Sequence, residues 1–349
     1  MRALVIGAST EAVHAIQIAQ GQGYEVVALD GDPQAGGLKA ADLAFCVDIR
    51  SPKAVVCLLE KEGIRRAVIL PVPIGRFLTT TGEVNDHYGL YGVSGEGARN
   101  STDKFRFHQK MKEAGLREVP LYLFPQGTGS EEVNLGEISS YPVVVKPRYG
   151  SGSRGGRVCE NSDTLQQDLQ EHKRLMEDLI VEQLVPGEEY GVDGAFEGGI
   201  FHLILLRKKM QTPLPYRQCV GYVSLPPESD PVFYHNVADF LQQVGHVLGF
   251  ENCLMHADLI RQQDDAPFLI ETSARPSGHH LHDLFTPMVT GVDPIASFLA
   301  LAASANKGEP YRVPGTKRMM IRYFDLPKGR LEKIPEEEEL QRDFPLRDY

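Results

Sequence analysis

Two acids and a lysine are the first residues in this 349-residue chain whose types and spacing suggest chemistry. The stretch "HADLIRQQDDAPFLIETSAR" reads as two strands, 254–261 and 267–273, around the polar turn "QQDDAP". If the turn centres on Asp264 and Asp265, Asp258 falls opposite Glu271, their β-carbons about 5 Å apart. A period of two puts His256, Asp258 and Ile260 on one face of the first strand. Leu269, Glu271, Ser273 and then Arg275 share a face of the second. Carboxylates so close repel unless a hard cation lies between them, and an oxygen donor set with open positions suits Mg2+ carrying substrate phosphates. An offset turn would instead leave each acid in solvent.

The lysine is Lys146. "YPVVVKPRYGSGSRGGRV", 141–158, is an apolar strand that delivers an ammonium at its end, directly before a loop of Gly, Ser and Arg. Backbone N–H groups in such a loop can approach phosphate oxygens closely, and the lysine adds the charge. The spacing is not that of the P-loop, and a plain glycine-rich hairpin tip with an exposed lysine has the same composition.

The elements around these residues suggest how they are positioned. Strands at 3–7, 24–30 and 66–72 alternate with helices at 11–20 and 52–62, a pattern that favours a parallel sheet with helices on both faces. The first turn, "GASTE", has one glycine where a dinucleotide fingerprint wants three, which speaks against a nicotinamide enzyme. Asp30 fits the turn "DGDP" better than a ribose. Beyond residue 100 the pattern changes. "NSTDKFRFHQKMKEAGL" reads as a helix capped by Ser101 or Thr102 and stopped by Gly115. Strands follow at 119–124, 141–147 and 179–185, with a helix at 163–177. Strands at 189–197 and 200–208 turn at Gly198 and Gly199, and 231–248 is an amphipathic helix. A proline-containing excursion at 206–228 reads as a pocket edge whose Lys208, Lys209 and Arg217 either attract a carboxylate or are solvated.

The totals narrow the function classes. A net charge of −11 argues against a nucleic-acid partner, and no apolar run approaches the roughly 18 residues of a membrane helix. Five cysteines without Cys-x-x-Cys spacing indicate neither a disulfide framework nor a zinc ribbon. The N-terminus does not read as a secretory signal, so a cytoplasmic location is expected.

Taken in order, four segments resemble the ATP-grasp superfamily over about residues 1 to 325, in its amino-acid ligase branch and with a biotin-carboxylase-like layout. "STDKFRFHQKMKEAGLREVP" is similar to its opening helix, "YPVVVKPRYGSGSRG" to its second lysine strand and mobile loop, "VEQLVPGEEYGVDG" to its adenine hinge, and "HADLIRQQDDAPFLIETSARPSG" to its metal hairpin. The fold implied is mixed α/β and α+β: a Rossmann-like N-terminal domain, 1–100, then a two-lobed ATP-grasp fold, 101–187 and 188–310, and a C-terminal segment, 311–349. The resemblance assigns ATP to Lys104, Lys146, the loop residues Ser151, Gly152, Ser153 and Arg154, and Glu182, Gln183, Val185, Glu189 and Leu269. It assigns Mg2+, or Mn2+ in its place, to Asp258, Glu271 and Ser273, and phosphoryl transfer to Arg275 and Lys104.

Substrate contacts are expected from Ser277, Gly278, His279 and His280, and from Asp193 and Arg207. The implied reaction activates a small carboxylate, an amino acid, as an acyl phosphate and couples it to an amine. Small molecules are then the partners, with no nucleic acid or membrane, and a homodimer is a compatible assembly. A bicarbonate-using carboxylase and a decayed nucleotide-binding regulator are the alternatives. The sequence departs from the usual pattern at Asp258, where Glu is commoner, and at Ser273, where Asn is.

Overall fold

The computed structural model describes residues 1–117, 119–126, 138, 140–150, 156–172, 177–213, 218–303, 311–323, 329, 330, 333, 336, 339 and 342. The chain opens with β1 (Arg2–Ile6), a 3-10 turn at Thr10–Ala12, α1 (Val13–Gly21), β2 (Glu25–Asp30), α2 (Gly36–Ala40), β3 (Leu43–Cys46), α3 (Pro52–Lys61) and β4 (Val68–Ile69). These strands form a parallel sheet in the order β3-β2-β1-β4. Residues 26–29 of β2 are all buried, as a parallel strand covered on both faces requires. Ser51 caps α3 by accepting the Ala54 N–H at 3.2 Å, and Pro52 fills the first helical position.

Two helices absent from the sequence reading follow, α4 (Leu78–Tyr88) and α5 (Gly95–Thr102). The expected boundary near residue 100 lies inside α5. There Asn100 donates from Nδ2 to the Leu248 carbonyl at 3.0 Å, and Ala98 shares a core with Phe107, Phe196 and Val237. The next helix, α6 (Lys104–Glu113), is capped by neither Ser101 nor Thr102. Its cap is Asp103, whose Oδ1 accepts the N–H groups of Phe105 at 3.1 Å and Arg106 at 3.2 Å. Ser101 and Thr102 belong to the last turn of α5 and bond back to its carbonyls.

A small antiparallel sheet then forms from β5 (Leu121–Phe124), β6 (Val143–Pro147), β7 (Arg157–Cys159) and, after α7 (Ser162–His172), β8 (Leu179–Gln183), in the order β5-β8-β6-β7. The larger sheet uses β9 (Glu188–Glu197), β10 (Ile200–Gln211), β11 (Cys219–Ser224), β12 (Cys253–Arg261), β13 (Pro267–Ser273) and β14 (Met320–Arg322). Helix α8 (Pro231–Leu248) lies between β11 and β12 in sequence, and α9 (Thr286–Thr290) and α10 (Pro294–Ala302) follow β13. Its antiparallel order is β13-β12-β9-β10-β11-β14. The excursion expected at 206–228 is largely strand, because β10 runs on to Gln211 and β11 pairs back along it; residues 214–217, including Arg217, lie outside the described set. Among the described residues no single helix is long and apolar enough to cross a membrane.

The larger sheet is sandwiched. One face packs on α8, and the other carries Ala195, Ile204 and Leu254 into a core shared with Ala3, Val5 and Ile16 of the N-terminal unit. Contact is tightest at Gly245 of α8, where a β-carbon would lie 2.0 Å from the ring of the fully buried Phe196. Gly245→Ala is expected to destabilise the fold by about 1–3 kcal/mol through overpacking, measured as a lower denaturant midpoint at unchanged m-value.

Candidate functional site

The small and large sheets face one another across a cleft enclosing about 960 Å3, open mouth included. On β6, Val143 and Val145 point into the small-sheet core while Val144 and Lys146 line the cleft. The Lys146 ammonium lies 2.5 Å from Oε1 of Glu182 on β8. Glu182 is itself buried, and its other oxygen takes the Arg117 guanidinium at 2.5 Å, with His108 Nε2 at 3.3 Å. Arg117 also donates to the Leu269 carbonyl at 3.4 Å and stacks over the Phe268 ring, tying β8 to β13. Burial, followed by the charges of Lys146, Arg117 and Lys104, pushes the His108 imidazole well below its ordinary pKa and keeps it neutral. Nothing in the spacing singles out Arg117 or His108, since Arg117 and Glu182 are 65 residues apart.

Across the cleft, Asp258 pairs with Glu271, the register expected from the sequence, though the hairpin reaches it differently. The turn closes by Gln262 donating to Ala266, so it centres on Asp264, and the register shifts by one between Asp258 and Leu259. The extra residue on β13 is a bulge that restores the Asp258–Glu271 pairing and changes which side chains face the cleft. Leu269, expected under the adenine, is therefore in the core beside Leu259. Ile260, Phe268 and Ile270 supply the cleft's apolar wall instead.

Both acids have lysine partners. Lys104 Nζ is 3.8 Å from Glu271 Oε2 and donates to the Gly150 carbonyl at 2.6 Å. Burial pulls the Lys104 pKa down and Glu271 opposes it. Lys209 Nζ lies 2.5 Å from Asp258 Oδ2 and 3.7 Å from Glu189 Oε2. Burial disfavours the Asp258 carboxylate, yet the charge and hydrogen bond of Lys209, with the charges of His256 and Arg207, together outweigh it and hold that carboxyl below its usual range. At the root of the glycine-rich loop, Arg148 donates to both Asp103 oxygens at 2.8 and 2.6 Å, and the Tyr149 hydroxyl adds a third bond to Asp103. Ser151, Gly152, Ser153 and Arg154 lie outside the described residues.

Beyond Glu271 the cleft continues into a second recess lined by Arg76, Thr102, His256, Ser273 and Arg275, with Lys104, Gly150 and Glu271 common to both chambers. The residues expected at ATP and metal thus converge: Lys104, Lys146, Glu182, Gln183, Val185, Glu189, Asp258 and Glu271 line the first chamber, Ser273 and Arg275 the second. The expected substrate residues line neither. Arg207 is fully buried and bonds Asp193 Oδ2 at 2.6 Å, where the Thr286 hydroxyl also donates, so the two charges pair inside the sheet, with Oδ1 of Asp193 and Nε of Arg207 left without hydrogen-bond partners.

Ser277 is sealed in the interior. His279 and His280 adopt left-handed backbone with φ of 58 and 56°. The His279 N–H donates to Glu11, Gly278 abuts the same carboxylate, and His280 pairs with Asp283. That loop grips the "GASTE" turn of the N-terminal unit, a contact that no local sequence pattern predicts.

Residues 139–282 match the ATP-grasp domain family. Three solved structures share the overall fold. An L-amino acid ligase from Bacillus licheniformis superposes with a TM-score of 0.72 at 18% identity, covering 90% of this chain and 78% of that one. A biotin carboxylase from Campylobacter jejuni gives 0.70 at 18%, covering 91% and 74%. An N5-carboxyaminoimidazole synthetase from Staphylococcus aureus, complexed with ADP, gives 0.70 at 14%, covering 88% and 78%.

The β12–β13 hairpin suits a hard cation that brings oxygen ligands of its own. Oδ1 of Asp258 is buried without a hydrogen-bond partner, 3.7 Å from Nε2 of His256, and Asp258 lines the same chamber as Glu271. Among the described residues no three His, Cys, Asp or Glu converge as a closed metal cage, so phosphate oxygens and water would complete the shell. Beside the acids, the His256 side chain is only 14% exposed and its pKa is lowered to about 4, chiefly by loss of solvent. Below pH 6.5 the unfolded chain would bind a proton at this position that the folded protein refuses. Stability should therefore fall as the pH drops from about 6.5 to about 4. His256→Gln is expected to flatten that fall, read as denaturant midpoints at pH 7 and pH 5.

Proposed function

We propose that this protein is an ATP-dependent carboxylate–amine ligase, activating a small carboxylate, an amino acid, as an acyl phosphate and releasing ADP and phosphate on attack by an amine. The observation that carries the reading is the pair of joined chambers. One has the lysines, acids and apolar wall suited to a nucleotide. The next is lined by two arginines, Arg76 and Arg275, suited to an anionic acceptor. The shared charged residues, Lys104 and Glu271, mark where a γ-phosphoryl group would pass from one chamber to the other. The likeness to an L-amino acid ligase supports an amino acid as the carboxylate.

In this reading the base stacks between Ile260, Phe268 and Ile270 on one side and Val144 on the other, with the backbone of Gln183 and Val185 at its edge. Glu189 receives the ribose hydroxyls. Lys146 and Lys104 meet the phosphates, and Arg275 neutralises charge as the phosphoryl group moves, because phosphoryl transfer is mainly positioning and charge compensation. Asp258 and Glu271 would hold Mg2+, with Ser273 beside them; the ion supplies charge neutralisation along the triphosphate.

The test is phosphate release from ATP over a panel of amino acids, with bicarbonate as a separate arm. Release that requires an amino acid supports the ligase. Release with bicarbonate alone, or nucleotide binding without turnover, overturns it. Two variants probe the assignments. Glu271→Gln should remain folded and lose phosphate release. Lys146→Ala should weaken ADP binding by about 1.5–3 kcal/mol, the range for hydrogen bonds to charged groups, measured by calorimetry.

A further inference from the structure

Lys209 lies on β10, with β9 between it and Asp258 on β12. The register sets Arg207 opposite Gly191, and its guanidinium takes up the space a Gly191 β-carbon would approach at 3.1–3.2 Å. Two residues on, the Lys209 ammonium reaches across β9 to the Asp258 carboxylate, whose own β9 partner is Gly191. The Lys209 side chain is only 7% exposed and contacts two carboxylates, Asp258 at 2.5 Å and Glu189 at 3.7 Å. Under the function proposed above, one of these is a metal ligand and the other a ribose ligand. Oδ1 of Asp258 has no hydrogen-bond partner.

We infer that Lys209 is a resident cation occupying the divalent-ion position of the ligand-free protein, one that a metal arriving with nucleotide must displace. The inference rests on the site assignments made above. A monovalent ammonium at 2.5 Å neutralises Asp258 and raises the threshold for a bare divalent ion, since the ion must separate a buried pair before binding. A metal–nucleotide complex has two further means of displacing it. Its ribose competes for Glu189, and its phosphates offer the released ammonium a new partner. Lys209 would then couple metal binding to nucleotide binding, keeping the acids from taking up free Mg2+ in nucleotide's absence.

The experiment titrates Mn2+ into the whole protein, with free ion followed by electron paramagnetic resonance, in the absence and presence of ADP. Wild-type protein should bind Mn2+ weakly alone and at least 10-fold more tightly with ADP. Lys209→Met should bind Mn2+ alone at least 10-fold more tightly than wild type, with a smaller gain from ADP, and Lys209→Arg should behave like wild type. A folded Lys209→Met whose ADP-free Mn2+ affinity is within 2-fold of wild type overturns the inference. Should Lys209→Met not fold, Mn2+ must restore its circular dichroism spectrum, and failure to do so overturns the inference equally. Glu271→Gln separates the two levels of the argument. If it leaves Mn2+–ADP binding intact, the hairpin is not the metal site and both readings fail. If it abolishes that binding while Lys209→Met changes nothing, only the resident-cation role is lost.

Discussion

Three lysines pair with three carboxylates inside one cleft: Lys146 with Glu182, Lys104 with Glu271, and Lys209 with Asp258. Six charges can be withdrawn from water only where each has an opposite charge close by, because the desolvation cost of an unpaired buried ion is several kcal/mol. That constraint explains why the cleft is assembled before any ligand arrives. It also defines what a ligand must do. A polyanion that claims the ammonium groups frees the carboxylates, and a cation that claims the carboxylates frees the ammonium groups, so a metal–polyphosphate satisfies both sets where either component alone satisfies one.

The fold supplies the partners from separate elements. Lys146 and Glu182 sit on adjacent strands of the small sheet, and Arg117 ties Glu182 to the Leu269 carbonyl of the larger one. Lys104 opens a helix whose cap, Asp103, is also the anchor for Arg148 and Tyr149 at the base of the glycine-rich loop. One carboxylate thus sets the helix start, the lysine's origin and the loop's root. The arrangement makes geometry at this end of the cleft depend on very few residues.

Away from the cleft, charge is used differently. Arg207 and Asp193 are as deeply buried as the cleft pairs, yet they line neither chamber. Thr286 adds a hydrogen bond to Asp193, and the Arg207 guanidinium lies over the Tyr222 ring. That cluster braces the sheet behind the site. His279 and His280, which read as candidate substrate contacts, instead form a left-handed bend held by Glu11 and Tyr323. Their positions in sequence follow Arg275 closely, but a backbone reversal directly after an element redirects side chains in a way that residue type does not reveal.

What the sequence by itself determined are the features with a short physical period or a local stereochemical cause. Alternation in "YPVVVKP" places Lys146 on the cleft face, parallel-sheet patterning marks the N-terminal unit, and the polar turn "QQDDAP" between two strand-like runs puts Asp258 and Glu271 on the two arms of one hairpin. Tertiary structure alone decided the rest. The bulge that turns Leu269 inward, the reach of Lys209 across β9 to Asp258 and the clamp of Arg117 and His108 on Glu182 depend on packing that no local pattern encodes. Their energies come from desolvation and from charges brought within a few ångströms, and both exist only once the sheets have packed.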